Sequence, residues 1–307
     1  MTNHHRTSNE SHERGILDHR PLPDPAFEAL WDAVIVDDVL KERLLCQAVL
    51  NFTARAKLAR AIAPMHGIIV LVGPPGTGKT SLARGLASRT ADAVKGIGAF
   101  SYMEVEPHAL ASASLGKSQQ AVRDLLGTTI AEQADSGPLI VVLDEVETLA
   151  ADRTRMSLEA NPIDVHRATD AVLAQLDQLS VHRPNLLFVA TSNFPGAIDQ
   201  AFLSRADLIV HVELPGAAGC EQIVANTVEG LARAFPRLRR LSKDPVLRTA
   251  GEAAVGLDGR RIRKAVLSAL AGSRAIALDP ERLTATDILH AVERAQSEAR
   301  GLKEARA

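Results

Sequence analysis

The string GPPGTGKT at residues 73–80 constrains this chain more than any other feature. It matches G-x-x-x-x-G-K-[ST], and it stands in the context that motif needs: the apolar run GIIVLV (67–72) before it and the helical pattern SLARGLASRT after it. Glycines there let the backbone fold tightly enough for its N–H groups to point inward at phosphate oxygens. The following helix N-terminus adds a partial positive charge. Gly73, Pro74, Pro75, Gly76, Thr77, Gly78, Lys79, Thr80 and Ser81 are therefore the expected phosphate-binding set, with Lys79 as a cation for the β- and γ-phosphates and Thr80 offering a hydroxyl to Mg²⁺. A plain glycine turn into a helix is the bland alternative.

Around this loop, residues 26–215 alternate short apolar runs with amphipathic helical stretches. The other runs are AFSYMEV (99–105), LIVVLD (139–144), LLFVATS (186–192) and LIVHVEL (208–214). Short β-branched-rich runs between helical patterns predict a parallel five-stranded α/β sheet flanked by crossover helices. Beyond residue 215 no such run recurs. Segments near 218–235, 244–255, 258–275 and 284–300 read as helices, so 216–307 is expected to form a small all-helical subdomain. Residues 1–25 are polar, hold His4, His5, His12 and His19 and end in PLPDP, which predicts a disordered tail.

A second motif carries chemistry. LIVVLDE puts Asp144 and Glu145 at a strand end, where two adjacent, partly desolvated carboxylates repel each other unless a cation sits between them. Mg²⁺ held through Asp144, with Glu145 deprotonating a water, resolves that conflict. The competing reading makes Asp144 a helix N-cap and Glu145 and Glu147 first-turn acids. Beside the phosphate loop the pair points to a nucleoside triphosphatase, and the lack of an NKxD guanine-reading motif favours ATP over GTP.

Further residues are suggested less sharply. The run LLFVATSN leaves Asn193 where its amide would orient the attacking water, provided its strand lies beside 67–72; a turn residue is the alternative. Arg205, in FLSRADL, is either an arginine finger reaching a neighbouring subunit's ATP or a surface partner of Asp207. In GLDGRRIRKAVLSAL, Asp258 reads as an N-cap, so Arg260, Arg261 and Arg263 crowd a first turn whose dipole they oppose. A nearby anion such as a γ-phosphate would relieve them; a solvated basic face is the other option.

WDAVIVDDVLKERLL, LDEVETLAADR, NPIDVHRATDAVLAQLDQL, TSNFPGAIDQAFLSRADL and GLDGRRIRKA together resemble the pachytene-checkpoint branch of the AAA+ ATPases, remodellers of HORMA-domain proteins. The likeness spans roughly Phe27 to Lys264. It implies an AAA+ P-loop fold with a helical lid, and a homohexamer that spends ATP to unfold part of a HORMA-domain protein. By this match Lys79 and Thr80 are Walker A, Asp144 and Glu145 Walker B, Asn193 sensor one, Arg205 the finger and Arg260 sensor two. The short tail is similar to that of bacterial members accompanying a HORMA protein and a nucleotidyltransferase that makes second messengers in antiphage defence. Two departures stand out. The tail is too short for the N-terminal domain of eukaryotic members, and the first pore loop reads ASASLGKS, with Ala113, Ser114 and Leu115 where an aromatic-bearing stretch is usual. Residues 152–166 are a candidate second pore loop.

Composition limits the other options. No apolar run approaches the ~18 residues of a membrane span, and MTNHHRTSNESHERG has no apolar stretch to act as a secretory leader. Two cysteines, Cys46 and Cys220, offer no disulfide framework, which fits a reducing cytoplasm. A net charge of −2 and 3% aromatics give no electrostatic or stacking footprint for nucleic acid. The alternatives of an AAA+ factor acting on DNA, or a general protein unfoldase, lack a basic groove and an obvious protease-docking element respectively.

Overall fold

The computed structural model describes residues 15–106, 118–151 and 162–304. The candidate pore-loop residues Ala113, Ser114 and Leu115 lie outside them, as does 152–161 of the second candidate loop; the rest of that segment, from Pro162, opens a helix. The chain divides into two compact units: Met1–Ala33 with Asp38–Gly73 and Lys79–His211, and Val34–Asp37 with Pro74–Gly78 and Val212–Ala307. The phosphate loop is thus shared between them, a partition that a linear cut at residue 215 does not anticipate.

The first unit is built on six strands: β1 (Ile16–Leu22), β2 (Ile68–Val72), β3 (Phe100–Val105), β4 (Leu139–Leu143), β5 (Leu186–Ser192) and β6 (Leu208–His211). They lie in the order β1-β3-β4-β5-β2-β6. The five expected strands are present and pair in parallel. The sixth is a correction. Ile16–Leu22, placed by the sequence reading in the disordered tail, pairs antiparallel with β3. Its two apolar ends, Ile16 and Leu22, are buried while the residues between are more exposed, the alternation of an edge strand. Pro21 is tolerated there for the same reason.

β2, β4 and β5 are buried along their whole length, as continuous apolar runs in a sheet covered on both faces must be. The covering helices are α1 (Pro25–Ala33), α2 (Asp38–Ala54), α3 (Lys79–Ala93), α4 (Ser118–Asp124), α5 (Ala131–Ser136), α6 (Pro162–His182) and α7 (Gln200–Leu203), with a π-helical turn joining α4 to α5. α1 packs on α3 at unusually close range. A Cβ on Gly85 would fall 2.5 Å from Trp31 Cβ and 2.9 Å from its Cα, so glycine is needed in mid-helix despite costing about 1 kcal/mol against alanine there.

The second unit is helical: α8 (Ala217–Ala234), α9 (Val246–Ala253), α10 (Gly259–Ser268), α11 (Arg274–Leu278) and α12 (Ala285–Glu304). α8 buries Cys220, Ile223, Val224 and Val228 on one face, the 3.6-residue period of an amphipathic helix. The helix expected over 258–275 ends earlier, at Ser268. Gly272 follows, and Ser273 caps α11 by accepting the Ile276 N–H at 3.2 Å. No described helix is long and apolar enough to cross a membrane.

Candidate active site

β5 lies beside β2, in register from Ile68↔Phe188 to Val72↔Ser192. That adjacency is the condition on which the reading of Asn193 depended, and it holds. The Gly73 N–H donates to Ser192 O at 3.2 Å, tying the start of the phosphate loop to the end of β5. β4 flanks β5 on its other side, so Asp144 and Glu145 emerge at the same carboxyl edge.

A chain of polar contacts runs along that edge. Thr80 Oγ1, in the first turn of α3, donates to Asp144 Oδ1 at 2.9 Å, and Thr191 Oγ1 donates to the same oxygen. Thr191 Oγ1 also accepts the Glu145 backbone N–H at 3.3 Å. Asn193 Nδ2 donates to Glu145 Oε1 at 3.3 Å, while the Asn193 backbone N–H goes to Glu147 Oε1 at 3.2 Å. Asp144 therefore does not cap a helix; its carboxylate faces the phosphate-loop helix. Lys79 is buried, with Nζ 2.8 Å from Gly73 O. Hydroxyl and carboxylate oxygens converging at Thr80 and Asp144 are the donor set that suits a hard divalent cation such as Mg²⁺.

Glu145 has φ 54° and ψ 51°, the sole non-glycine positive φ among the described residues. The left-handed region costs an L-residue roughly 1–2 kcal/mol. Contacts from Thr191 and Asn193 to Glu145 hold it there, and strain of this kind concentrates where a side chain must be aimed.

In the helical unit, the loop tip turns back on itself through Thr77 Oγ1 donating to Pro74 O at 3.0 Å. Gly76 and Gly78 have φ of +82° and +96°, and a Cβ on Gly76 would collide with the Asp258 carboxylate. Asp258 caps α10, accepting the Arg261 N–H at 2.9 Å. The Arg260 N–H donates to Gly76 O at 3.3 Å, so the start of α10 grips the loop tip directly. Of the three arginines in that turn, Arg261 pairs with Asp258 at 3.3 Å. Arg263 turns inward, 3.4 Å from Gly259 O, and burial pushes its pKa down. The Arg260 residue is exposed.

Arg205 sits elsewhere. It precedes β6, at the amino edge of the sheet. Asp207 does not pair with it but accepts the N–H groups of His66 (2.9 Å), Gly67 (2.6 Å) and Ile68 (3.1 Å), where β2 begins. Arg205 instead grips Asp177 of α6 with two bonds, Nε to Oδ1 and Nη2 to Oδ2, both 2.7 Å. The Arg205 guanidinium holds the Asp177 carboxyl below its usual range. Since β2 then runs five residues before Gly73, Arg205 lies roughly 17 Å of strand from its own phosphate loop.

Sequence reading missed Thr191 and Asp177 and took Glu147 only as a first-turn acid. Thr191 and Glu147 stand two residues from predicted ones, in TSN and DEVE, and neighbourhood was their only signal. Asp177 has none, because its partner is 28 residues away.

A glycine loop between strand and helix, carboxylates at the end of the strand two places away and a polar residue at the end of the strand between define a P-loop nucleotide-binding ATPase of the AAA class. The model of the AAA family, ATPases associated with various cellular activities, matches residues 69–214. CD-NTase-associated protein 6 of Pseudomonas aeruginosa is 53% identical over 283 residues, 92% of this chain and 93% of that protein. The pachytene checkpoint protein 2 homolog of Danio rerio is 31% identical over 266 residues, 79% of this chain but only 62% of the relative's length. The solved HORMA:CdnC:Trip13 complex of Escherichia coli MS115-1 contains a chain of the same fold, with TM-score 0.73 and 17% identity over 92% of this chain and 96% of that one. The protein is an AAA ATPase of the family of the Pseudomonas CD-NTase-associated protein 6, with the pachytene checkpoint protein 2 homologs as more distant relatives.

Proposed function

We propose that this protein hydrolyses ATP with Mg²⁺ as a homohexamer and couples hydrolysis to partial unfolding of a HORMA-domain protein. In doing so it would dismantle that protein's complex with a nucleotidyltransferase and switch off second-messenger synthesis in bacterial antiphage defence. The relative at 53% identity is named for its association with a CD-NTase, and the E. coli structure assembles HORMA, CdnC and Trip13 chains. Both names support the choice of partners.

The observation that carries the catalytic half is the contact chain Thr80–Asp144–Thr191–Glu145–Asn193. In this reading Lys79 and the N–H groups of residues 76–81 bind the phosphates, and Thr80 with Asp144 would hold Mg²⁺. The cation, when bound, offsets the charge of the β- and γ-phosphates. Glu145 Oε1 takes a proton from the attacking water as the γ-phosphorus parts from the β–γ bridging oxygen. Asn193 Nδ2 holds that carboxylate in its left-handed pose and orients the water. Arg260 is assigned to the γ-phosphate by resemblance. Arg205, a strand's length from its own loop, serves the nucleotide of a neighbouring copy, which is what supports a closed assembly.

The test is phosphate release by the purified chain with ATP and Mg²⁺, alone and with a HORMA-domain protein and nucleotidyltransferase. Glu145→Gln should retain ATP, release almost no phosphate and elute bound to the HORMA protein. Wild-type protein that neither retains adenine nucleotide nor releases phosphate in that mixture overturns the reading.

A further inference from the structure

We infer that Asp177 is a positioning residue for the trans-acting Arg205, fixing the guanidinium so that its remaining donors face a neighbouring subunit's nucleotide. The inference rests on the reading of Arg205 as a finger and adds the residue that aims it.

Asp177 lies well inside α6, where an aspartate has neither a capping role nor a helix preference to explain it. Both its oxygens engage Arg205, and Arg205 Nη1 makes a third bond, to Ala201 O at 2.6 Å. A guanidinium has five N–H donors in a rigid fork. Three are used, so two remain on a side chain that is still 22% exposed. Side-on bidentate pairing fixes the plane of the fork as well as its position, which a single contact cannot do.

The surroundings narrow the alternatives. If Arg205 were needed only for stability, Asp207, two residues away, would be the cheaper partner. Asp207 is committed to the backbone at the start of β2 instead. Arg60 does not compete for Asp177, because its guanidinium donates to Ser180 Oγ at 2.7 Å and contacts His66 Nε2 at 3.2 Å. His66 Nε2 stands 3.9 Å from Asp177 Oδ1, too far for a hydrogen bond. Among the described residues the hydrogen bonds to the Asp177 carboxylate thus come from Arg205, with Arg60 and His66 acting on it only through charge, and α6 and the segment before β6 are held in one geometry.

Steady-state kinetics and subunit mixing test this. Asp177→Asn should lower kcat by about 10–100-fold with KM within about twofold, since a misaimed group costs turnover rather than ground-state binding. Asp177→Glu should recover part of the loss. Mixing Arg205→Ala with Glu145→Gln should restore phosphate release, because some intact sites then meet an intact finger. Mixing Asp177→Asn with Glu145→Gln should restore it too, whereas Asp177→Asn with Arg205→Ala should not. If the Arg205→Ala mixture fails to recover, the finger reading itself falls and this inference with it. If that mixture recovers while the Asp177→Asn mixture does not, or if Asp177→Asn turns over like wild type, only the positioning role is overturned. A folded Asp177→Asn protein with raised KM and unchanged kcat also overturns it.

Discussion

Asn193 and Glu145 stand 48 residues apart in sequence, yet Asn193 Nδ2 lies 3.3 Å from Glu145 Oε1. The contact exists because β4 and β5 are neighbours and end at the same edge. It joins the group proposed to take a proton to the group proposed to orient the water, and it holds Glu145 in its left-handed conformation. Asn193→Ala is therefore expected to lower kcat by about 10²-fold while leaving nucleotide affinity within a few-fold. Phosphate-release kinetics and a nucleotide-binding titration separate the two quantities.

Thr191 should matter almost as much. Thr191→Val keeps the shape but removes the hydroxyl that links Asp144 to the Glu145 backbone. That leaves the Glu145 N–H without this acceptor, at about 1–3 kcal/mol if it stays dry. We expect a clear fall in kcat, together with a drop in melting temperature. Unchanged turnover would show that Thr80 and Asn193 suffice to hold the two carboxylates.

The packing of α1 on α3 predicts a stability effect remote from the chemistry. Gly85→Ala improves helix propensity yet forces a Cβ to within 2.5 Å of Trp31 Cβ. Overpacking of this kind costs about 1–3 kcal/mol. Thermal denaturation should show destabilisation despite the better helix former.

Glu104 of β3 is buried, accepting two bonds from Arg84 and one from Tyr102 at 2.6 Å. Arg84 is 36% exposed, so the two halves of the pair are not equivalent. Arg84→Met strands a buried carboxylate and should cost about 3 kcal/mol, whereas Glu104→Gln frees a cation that water can reach and should cost less. Chemical denaturation of both variants checks the order.

Asp177 gives a pH signature. Its carboxyl pKa lies below the ordinary 3.8, first because of its hydrogen bonds from Arg205. A depressed pKa means the fold prefers the ionised form, so its contribution is present above about pH 4 and lost as pH falls through the lower folded value. Asp177→Asn should flatten that part of the acid limb of stability against pH, measured by denaturation from pH 7 to pH 2.

The sequence made the local features readable and left the long-range ones hidden. The phosphate loop, the five parallel strands and the cap at Asp258 each carry their signal within a few consecutive residues. β1 escaped because only Ile16 and Leu22 mark it, and its reason to be extended is the open edge of β3. The sequence also left Arg205 with the wrong neighbour. Asp207 is two residues away, but its carboxylate is claimed by the N–H groups of 66–68, which no pattern at 205–207 reveals. Strand order is likewise absent from any window of sequence, and it brings Thr191 and Asn193 to the acidic pair.

The separation of Arg205 from Gly73 by the length of β2 has a consequence for how such a chain is controlled. Under the role proposed for Arg205, an isolated copy would hold a reaction centre and the tool for another's but no matched pair, and head-to-tail neighbours would complete one another. Dilution then acts as an inhibitor: phosphate release per molecule should fall steeply below the association threshold, and a single subunit lacking its guanidinium should silence the centre next door while its own still works.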